Sequence, residues 1–353
     1  MRSFITFITL IVIFEYAASQ DIWFPNDLGF RQNFQQTTNR YYRPVQQNIQ
    51  HQASNFFFPQ QPARHSRVSD RKCEEYLKLS KRIVPTGSLS IRPTIHNVVV
   101  DDCKGSQGLI INGENAKDGE YPHMAAIAYV NRSQVVRFIC GGTLISDQFI
   151  LTSAHCKFFE GIPSSIVRLG ALNLNATVQG SYQDIGIQSF ISHEKYKSSR
   201  MKNDIAVIKL VSKVTFSKFV RPACLMTPSK HVNIQKAVVT GWGMTQPYID
   251  KGSDILQKAE LNIQHIDRCR EYMEDETLDN TQICAGHETK DTCGGDSGGP
   301  LQIASPANKC VQIIAGVTSY GISLCGGENS VAIYTNVESY VDWIEQKVWG
   351  INS

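Results

Sequence analysis

The stretch Asp291-Thr-Cys-Gly-Gly-Asp-Ser-Gly-Gly-Pro300 decides how this chain is read. A serine stands among glycines, behind an aspartate and a cysteine. Ser297 is small, and it becomes nucleophilic once a neighbouring base takes its proton. Gly295 allows a tight turn in which two backbone N–H groups, those of Gly295 and Ser297, converge on one oxygen. Cys293 is placed to tie the turn down.

Such a serine needs a base, and the base needs an orienting acid. Thr152-Ser-Ala-His155-Cys156 offers the base, and a bridge from Cys156 to Cys140 would hold it in place. Asn203-Asp204-Ile-Ala-Val-Ile-Lys-Leu210 offers the acid at the mouth of a strongly apolar strand. Taken singly, a histidine is usually structural and an aspartate before a strand is usually a turn residue. The order His, Asp, Ser, ending in Gly295-Asp-Ser-Gly-Gly-Pro300, makes the joint reading nucleophilic catalysis.

The bulk numbers agree. Of 353 residues, 42% are apolar and 19% charged, enough for a sizeable core. The formal net charge of +3 is concentrated upstream, where residues 20–109 carry twelve Lys/Arg against seven Asp/Glu. With no basic motif and no zinc spacing, nucleic-acid binding is excluded as an expectation. Met1-Arg-Ser, the apolar run Phe4 to Phe14 and Ala17-Ala-Ser19 read as a signal peptide over 1–19. The run is too short to span a bilayer, which takes about 20 residues. The expectation is therefore a secreted, extracellular protein with no membrane partner, and ten cysteines fit a disulfide framework there.

Residues 20–72 are rich in Gln, Asn and aromatics, with no sustained period and no cysteine, and read as a disordered arm. Residues 73–109 read as a linker. From Ile110, short apolar runs recur between turn signals, among them His123–Val130, Val136–Ile145, Asp204–Leu210, Lys236–Thr240, Leu256–Ile263 and Val311–Ser319. Many short strands without alternating helices predict an all-β sandwich or barrel. Val337, Tyr340, Val341, Ile344 and Val348 fall at helical spacing and predict one C-terminal helix.

On these motifs, residues 110–353 resemble the trypsin/chymotrypsin family of serine proteases. The resemblance implies two six-stranded antiparallel barrels with the site between them. It implies His155 as general base, Asp204 as its orienting acid, Ser297 as nucleophile, and the N–H groups of Gly295 and Ser297 as the oxyanion hole. Asp291, six residues before Ser297, takes the pocket-floor position and implies cleavage after Arg or Lys. Ser319-Tyr-Gly321 resembles the segment that pairs with substrate backbone. Ala332 stands where trypsin-like members have glycine, and its methyl narrows the slot. Ile110-Ile-Asn-Gly113 resembles the start of an activated protease. A cut between Leu109 and Ile110 would free an ammonium to pair with Asp296, so the chain would be a zymogen.

The resemblance also implies the pairs Cys140–Cys156, Cys269–Cys284, Cys293–Cys325 and Cys103–Cys224, which leaves Cys73 for Cys310. Cys73-Glu-Glu-Tyr76, the cut after Leu109, Gly294 and Gly316-Val-Thr-Ser-Tyr320 narrow the likeness. They resemble the snake-like branch of arthropod clip-domain proteases, although residues 20–72 lack a clip domain's cysteines. That branch implies an extracellular immune, melanisation or developmental cascade. Its partners would be an upstream activating protease, a downstream zymogen as protein substrate, and a serpin-type inhibitor. Asn131-Arg-Ser133 and Asn175-Ala-Thr177 fit N-glycosylation. Ala171 after Arg168-Leu-Gly170 lacks the carboxylate of calcium-binding relatives, so no metal and no cofactor are expected. Two other readings carry different expectations. A catalytically silent homologue acting as a binding cofactor would lack Ser297, whereas a venom protease would keep every residue named.

Overall fold

The computed structural model describes residues 66–88, 94–101, 114–176, 182–245, 251–287, 295–321 and 330–350. Helix α1 (Val68–Tyr76) comes first, then a hairpin of β1 (Lys81–Gly87) and β2 (Ile95–Asp101) and the short β3 (Glu114–Asn115). Next are β4 (Met124–Val130), β5 (Val136–Leu144), β6 (Phe149–Thr152), a one-turn 3-10 helix (Ala154–Lys157), and a ribbon of β7 (Phe158–Phe159) and β8 (Ile162–Pro163). β9 (Ile166–Leu169), β10 (Gln183–Ser192) and β11 (Ala206–Leu210) follow. A six-stranded antiparallel barrel closes in the order β10-β11-β6-β5-β4-β9. Beyond β12 (Cys224–Leu225) come β13 (Lys236–Gly241), β14 (Gln257–Gln264), α2 (Ile266–Met273), β15 (Gln282–His287), β16 (Pro300–Ala304), β17 (Gln312–Gly321), β18 (Ser330–Asn336) and α3 (Val337–Trp349). These strands run β17-β16-β13-β14-β15-β18, and pairing of β17 with β18 closes the second six-stranded barrel. Among the described residues, no helix is long and apolar enough to cross a membrane.

The unbroken apolar runs follow from burial on both strand faces. Ala125 and Ile127 of β4 point into the first barrel, while Met124 and Ala126 pack with Trp242. Ile150 and Ile208 fill the first barrel, whereas their neighbours Leu151 and Val207 face α3 and the β17 residues Ile314 and Val317. The second barrel closes on Val239, Leu261, Leu301 and the fully buried Tyr334, with Ala237, Ala285 and Ala332 leaving room for its ring.

Helix α3 begins where the Asn336 side chain accepts from Glu338 N and ends at Gly350 in the left-handed region (φ 68°). Its apolar stripe of Val337, Tyr340, Val341 and Ile344 is the predicted one. That stripe closes a cluster that takes side chains from both barrels and fixes them to each other.

The N-terminal portion corrects three expectations. Cys73 pairs with Cys224, so neither Cys103–Cys224 nor Cys73–Cys310 forms. Cys310 is disulfide-bonded to a residue outside the described set. Cys140–Cys156 and Cys269–Cys284 pair as expected, and Cys293 and Cys325 lie outside the described residues. The boundary at 72/73 falls inside α1, which starts at Val68. The ordered-looking linker from Cys73 carries the β1–β2 hairpin.

A nine-residue helix of polar composition has no useful stability alone, so tertiary bonds order α1. Its Ser69 N and Oγ donate to Glu345 Oε1 at 3.0 and 2.6 Å, and Arg67 reaches Glu345 Oε2 at 3.1 Å. Arg67 also pairs with Asp342. Asp70 accepts from Thr227 Oγ1 (2.9 Å) and Ser229 Oγ (2.6 Å) and pairs with Lys230 (2.9 Å). Tyr76 donates to the Ile145 carbonyl. No apolar period announces these contacts, which is why the sequence pattern gave no sign of the helix.

Non-reduced peptide mapping should recover one peptide joining Cys73 to Cys224; a peptide joining Cys103 to Cys224 would refute the pairing. Burial raises the Asp70 carboxyl, but Lys230, Ser229 and Thr227 outweigh it and hold the group below its ordinary value. A carboxyl depressed in the folded state stabilises above its ordinary range and loses that contribution as pH falls through its folded value. The urea-unfolding difference between the native chain and Asp70→Asn should thus be flat above about pH 5 and shrink below about pH 4. Truncation by Glu345→Ala should cost about 3 kcal/mol in the same assay, because it strands Ser69 N and part of Arg67.

Candidate active site

The Ser297 turn is held from both barrels. Gly141 N of β5 donates to the Ser297 carbonyl at 2.8 Å. Gly298 N donates to Thr318 O of β17 at 2.8 Å, and Thr318 N returns a bond to Gly299 O at 2.9 Å. Gly295 lies at φ 97°, a conformation that a side chain would strain. The second tight approach is at Gly243, where a Cβ would come within 2.5 Å of the Asp296 carboxyl carbon. Gly243 N donates instead to Asp296 Oδ1 at 2.9 Å.

His155 sits in the 3-10 turn that follows β6, where the chain leaves the first barrel. The Cys140–Cys156 disulfide ties this turn to β5. Cys156 Sγ lies 3.6 Å from the Ser297 carbonyl, so the bridge spans the ground between His155 and the serine turn. Both sulfurs are spent in that bridge, which removes the thiolates that would let the Cys140, His155 and Cys156 cluster hold a metal.

Asp204 precedes β11 and is fully buried, at 0% exposure. Its carboxylate takes three donors: His155 N on Oδ1 (3.0 Å), with His155 Nδ1 (2.7 Å) and Ser319 Oγ (2.6 Å) on Oδ2. Thr335 Oγ1 of β18 donates to the Asp204 carbonyl at 2.8 Å. The residue before, Asn203, lies in the left-handed region at φ 54°. Its side chain bridges the Lys195 carbonyl and the Tyr340 hydroxyl, which fixes the turn into β11. The register of β17 against β18 shifts between Thr318 and Tyr320, a bulge that frees Ser319 to point at Asp204. Burial, then the Asp204 charge, pushes the neighbouring Tyr196 phenol up to about 12.

The structure thus brings His155, Asp204, Ser319 and the turn of Gly295, Asp296 and Ser297 into one region. Gly321 pairs with Ala332 across β17 and β18, and the Ala332 methyl is buried there. Leu109, Ile110 and Asp291 lie outside the described residues. Asn131 Oδ1 accepts from Ser133 N and Val135 N in the turn between β4 and β5, and Asn175 is exposed.

Sequence reasoning missed Thr335, Thr318, Gly141 and the Gly241-Trp242-Gly243 cradle. Only the last left a trace, two glycines flanking a tryptophan at the end of an apolar strand. It also missed His123, which is buried at the foot of β4. Burial there, partly offset by Gln302, pushes the imidazole down to about 4, so it is neutral at physiological pH.

Comparison with known proteins agrees with this geometry. Residues 110–344 match the family model described as Trypsin. The chain is similar to Serine protease snk of Drosophila melanogaster, with 36% identity over 291 residues, covering 79% of this chain and 65% of that protein. It is similar to Phenoloxidase-activating factor 3 of Holotrichia diomphalia, at 40% over 256 residues, 68% of this chain and 72% of the relative. Melanization protease 1 of Drosophila melanogaster is 37% identical over 265 residues, 68% of this chain and 65% of the relative. The chain therefore spans just under two thirds of the length of two of these three relatives. Two closed barrels that meet at a buried aspartate, and a family model matched across both, place this chain in the trypsin family as a serine-type endopeptidase.

Proposed function

We propose that this chain is a secreted zymogen of an endopeptidase that cleaves after Arg or Lys in an extracellular proteolytic cascade. The observation that carries the catalytic part is the Asp204 carboxylate, fully buried and bonded twice to His155. Held there, His155 keeps Nδ1–H toward Asp204 and presents Nε2 as the base.

Ser297 Oγ attacks the scissile carbonyl as His155 takes its proton. The carbonyl oxygen becomes an oxyanion received by the N–H groups of Gly295 and Ser297. The tetrahedral intermediate collapses with cleavage of the C–N bond, and His155 returns the proton to the leaving amine. A water then attacks the acyl-serine by the same route and frees Ser297. Asp204, shut away from water, orients the ring and stabilises the imidazolium as it forms.

The specificity and activation parts of the reading rest on Asp291, Leu109 and Ile110, which lie outside the described residues. Asp291 at the pocket floor selects a cationic side chain. Cleavage between Leu109 and Ile110, by a protease that accepts leucine, supplies the ammonium for Asp296. Because Cys73 is bonded to Cys224, the released light chain stays covalently attached. The names of the relatives, a phenoloxidase-activating factor and a melanization protease, favour an immune cascade with a downstream zymogen as substrate and a serpin-type inhibitor as regulator. Asn131 and Asn175 are the glycan acceptors of the secreted form.

Purified chain cut after Leu109 should hydrolyse Arg and Lys peptides, and Ser297→Ala should lower kcat by about 10⁴-fold or more. Turnover that survives Ser297→Ala would refute the mechanism. In the same panel, Asp291→Ser should cost on the order of 10⁴ in kcat/KM for Arg peptides relative to Leu peptides. A wild-type enzyme that turns over Leu peptides alone would refute the role of Asp291.

A further inference from the structure

The outer face of the second barrel holds a polar cavity that the mechanism does not use. Along β14, Leu261 and Ile263 pack into the barrel core. Period-two alternation therefore puts Asn262 and Gln264 on the opposite face. Register sets Asn262 across from Gly286 and Gln264 across from Cys284. It pairs Gly286 with Val331 and His287 with Ser330 on the next strand. Where β14, β15 and β18 meet α2 they leave a cavity of about 120 Å³. Asn262, Gln264, Arg268, His287 and Ser330 supply every polar side chain of its lining.

The walls are fixed. The Cys269–Cys284 disulfide ties α2 to β15. Arg270 Nε and Nη2 donate to the Leu278 carbonyl at 3.0 and 2.7 Å, which holds α2 to the turn that follows it. A Cβ on Gly286 would collide with the Ser330 carbonyl, so only glycine lets β15 and β18 approach this closely. Ser330 is 5% exposed, and Val331 belongs to the apolar cluster beneath α2.

The lining has one sign. A guanidinium, an imidazole, two carboxamides and a hydroxyl can all donate hydrogen bonds, and no carboxylate stands among them. Among the described residues, the side chains of Asn262, Gln264 and Arg268 make no hydrogen bond or ion pair. The neighbouring carboxylate, Asp267, is engaged by His265 at 2.9 Å and by Arg270 at 2.5 Å. Arg268 thus keeps its charge unpaired at the cavity. A cation there would face Arg268, and an apolar group would cover the two carboxamides without bonding them.

We infer that this cavity is a binding site for a tetrahedral oxyanion, sulfate or phosphate, held by the Arg268 guanidinium and the Asn262 and Gln264 amides. The planar fork of arginine fits two oxygens of such an ion. Its remaining oxygens point elsewhere, which suits donors that come from β14, α2 and β18. A planar carboxylate presents both oxygens on one side and would leave part of the lining unused. Free sulfate and a sulfate ester on a glycan share this chemistry. The site makes no use of His155, Asp204 or Ser297, so it stands apart from the catalytic reading.

The test is calorimetric titration of the full chain with sodium sulfate at constant ionic strength, with sodium chloride as the blank. One saturable site with a Kd of about 1 mM or below is expected. Arg268→Gln removes the charged fork and should weaken binding at least about tenfold. Asn262→Asp keeps the shape but sets a carboxylate in the lining, and should weaken it by about the same factor. Gln264→Lys adds a cation and should tighten binding severalfold, a gain that misfolding cannot produce. A disaccharide bearing one sulfate ester, run beside its unsulfated parent, separates the two sources. Tighter binding than free sulfate makes the ester the ligand, and equal or weaker binding makes it the free ion. No saturable heat, or one Kd shared by the native, Arg268→Gln and Asn262→Asp chains, would overturn the site.

Discussion

The structure turns on one buried charge. Asp204 has no access to water, and a bare carboxylate in that environment would cost several kcal/mol or would take up a proton. Its oxygens are satisfied by hydrogen bonds from parts of the chain that are far apart in sequence. The first barrel supplies His155 from the turn after β6, and the second supplies Ser319 from β17. Neither barrel can satisfy Asp204 alone, so the charge and the meeting of the two barrels depend on each other. The apolar cluster around α3 supplies the adhesion, since it draws Leu151 and Val207 from one barrel and Ile314 and Val317 from the other. The hydrogen bonds then add direction, which adhesion lacks.

The serine turn inherits that arrangement. Gly141 and Thr318 hold it from opposite barrels, so its backbone is positioned by the same contact that buries Asp204. A shift of one barrel against the other would lengthen the Ser319–Asp204 bond and the Gly141–Ser297 bond together. The geometry for proton transfer and the geometry for oxyanion binding are thus coupled through rigid elements rather than through a flexible loop.

Much of this was legible in the sequence because it rests on short-range chemistry. Ser297 needs glycines beside it, His155 follows a buried strand, and Asp204 opens one; each leaves a local pattern. The all-β body was legible from short apolar runs and its two barrels from the family likeness, although β15 and β16 were not, since Gln282–His287 mixes polar residues with glycine and Pro300 opens its strand. The supporting residues were illegible for a different reason. Ser319 reaches Asp204 across 115 positions and Thr335 across 131, and a lone hydroxyl residue in a strand carries no mark of its distant partner. Its role exists only once register is fixed, down to the bulge that turns Ser319 inward.

The N-terminal segment around α1 shows the same limit in its sharpest form. Ten cysteines admit many pairings, and family likeness favoured the cysteine nearest the cut as the tether. Geometry chose Cys73, because α1 packs alongside β12 and delivers Cys73 to Cys224 while Asp70 meets Lys230 and Ser69 meets Glu345. These polar bonds also explain why a nine-residue helix stays docked. Glu345 and Lys230 belong to the protease body, and their charges are satisfied by α1 across a buried contact. Removing α1 would break these bonds and open the contact to water, so paired charges hold α1 to the body much as they hold Asp204.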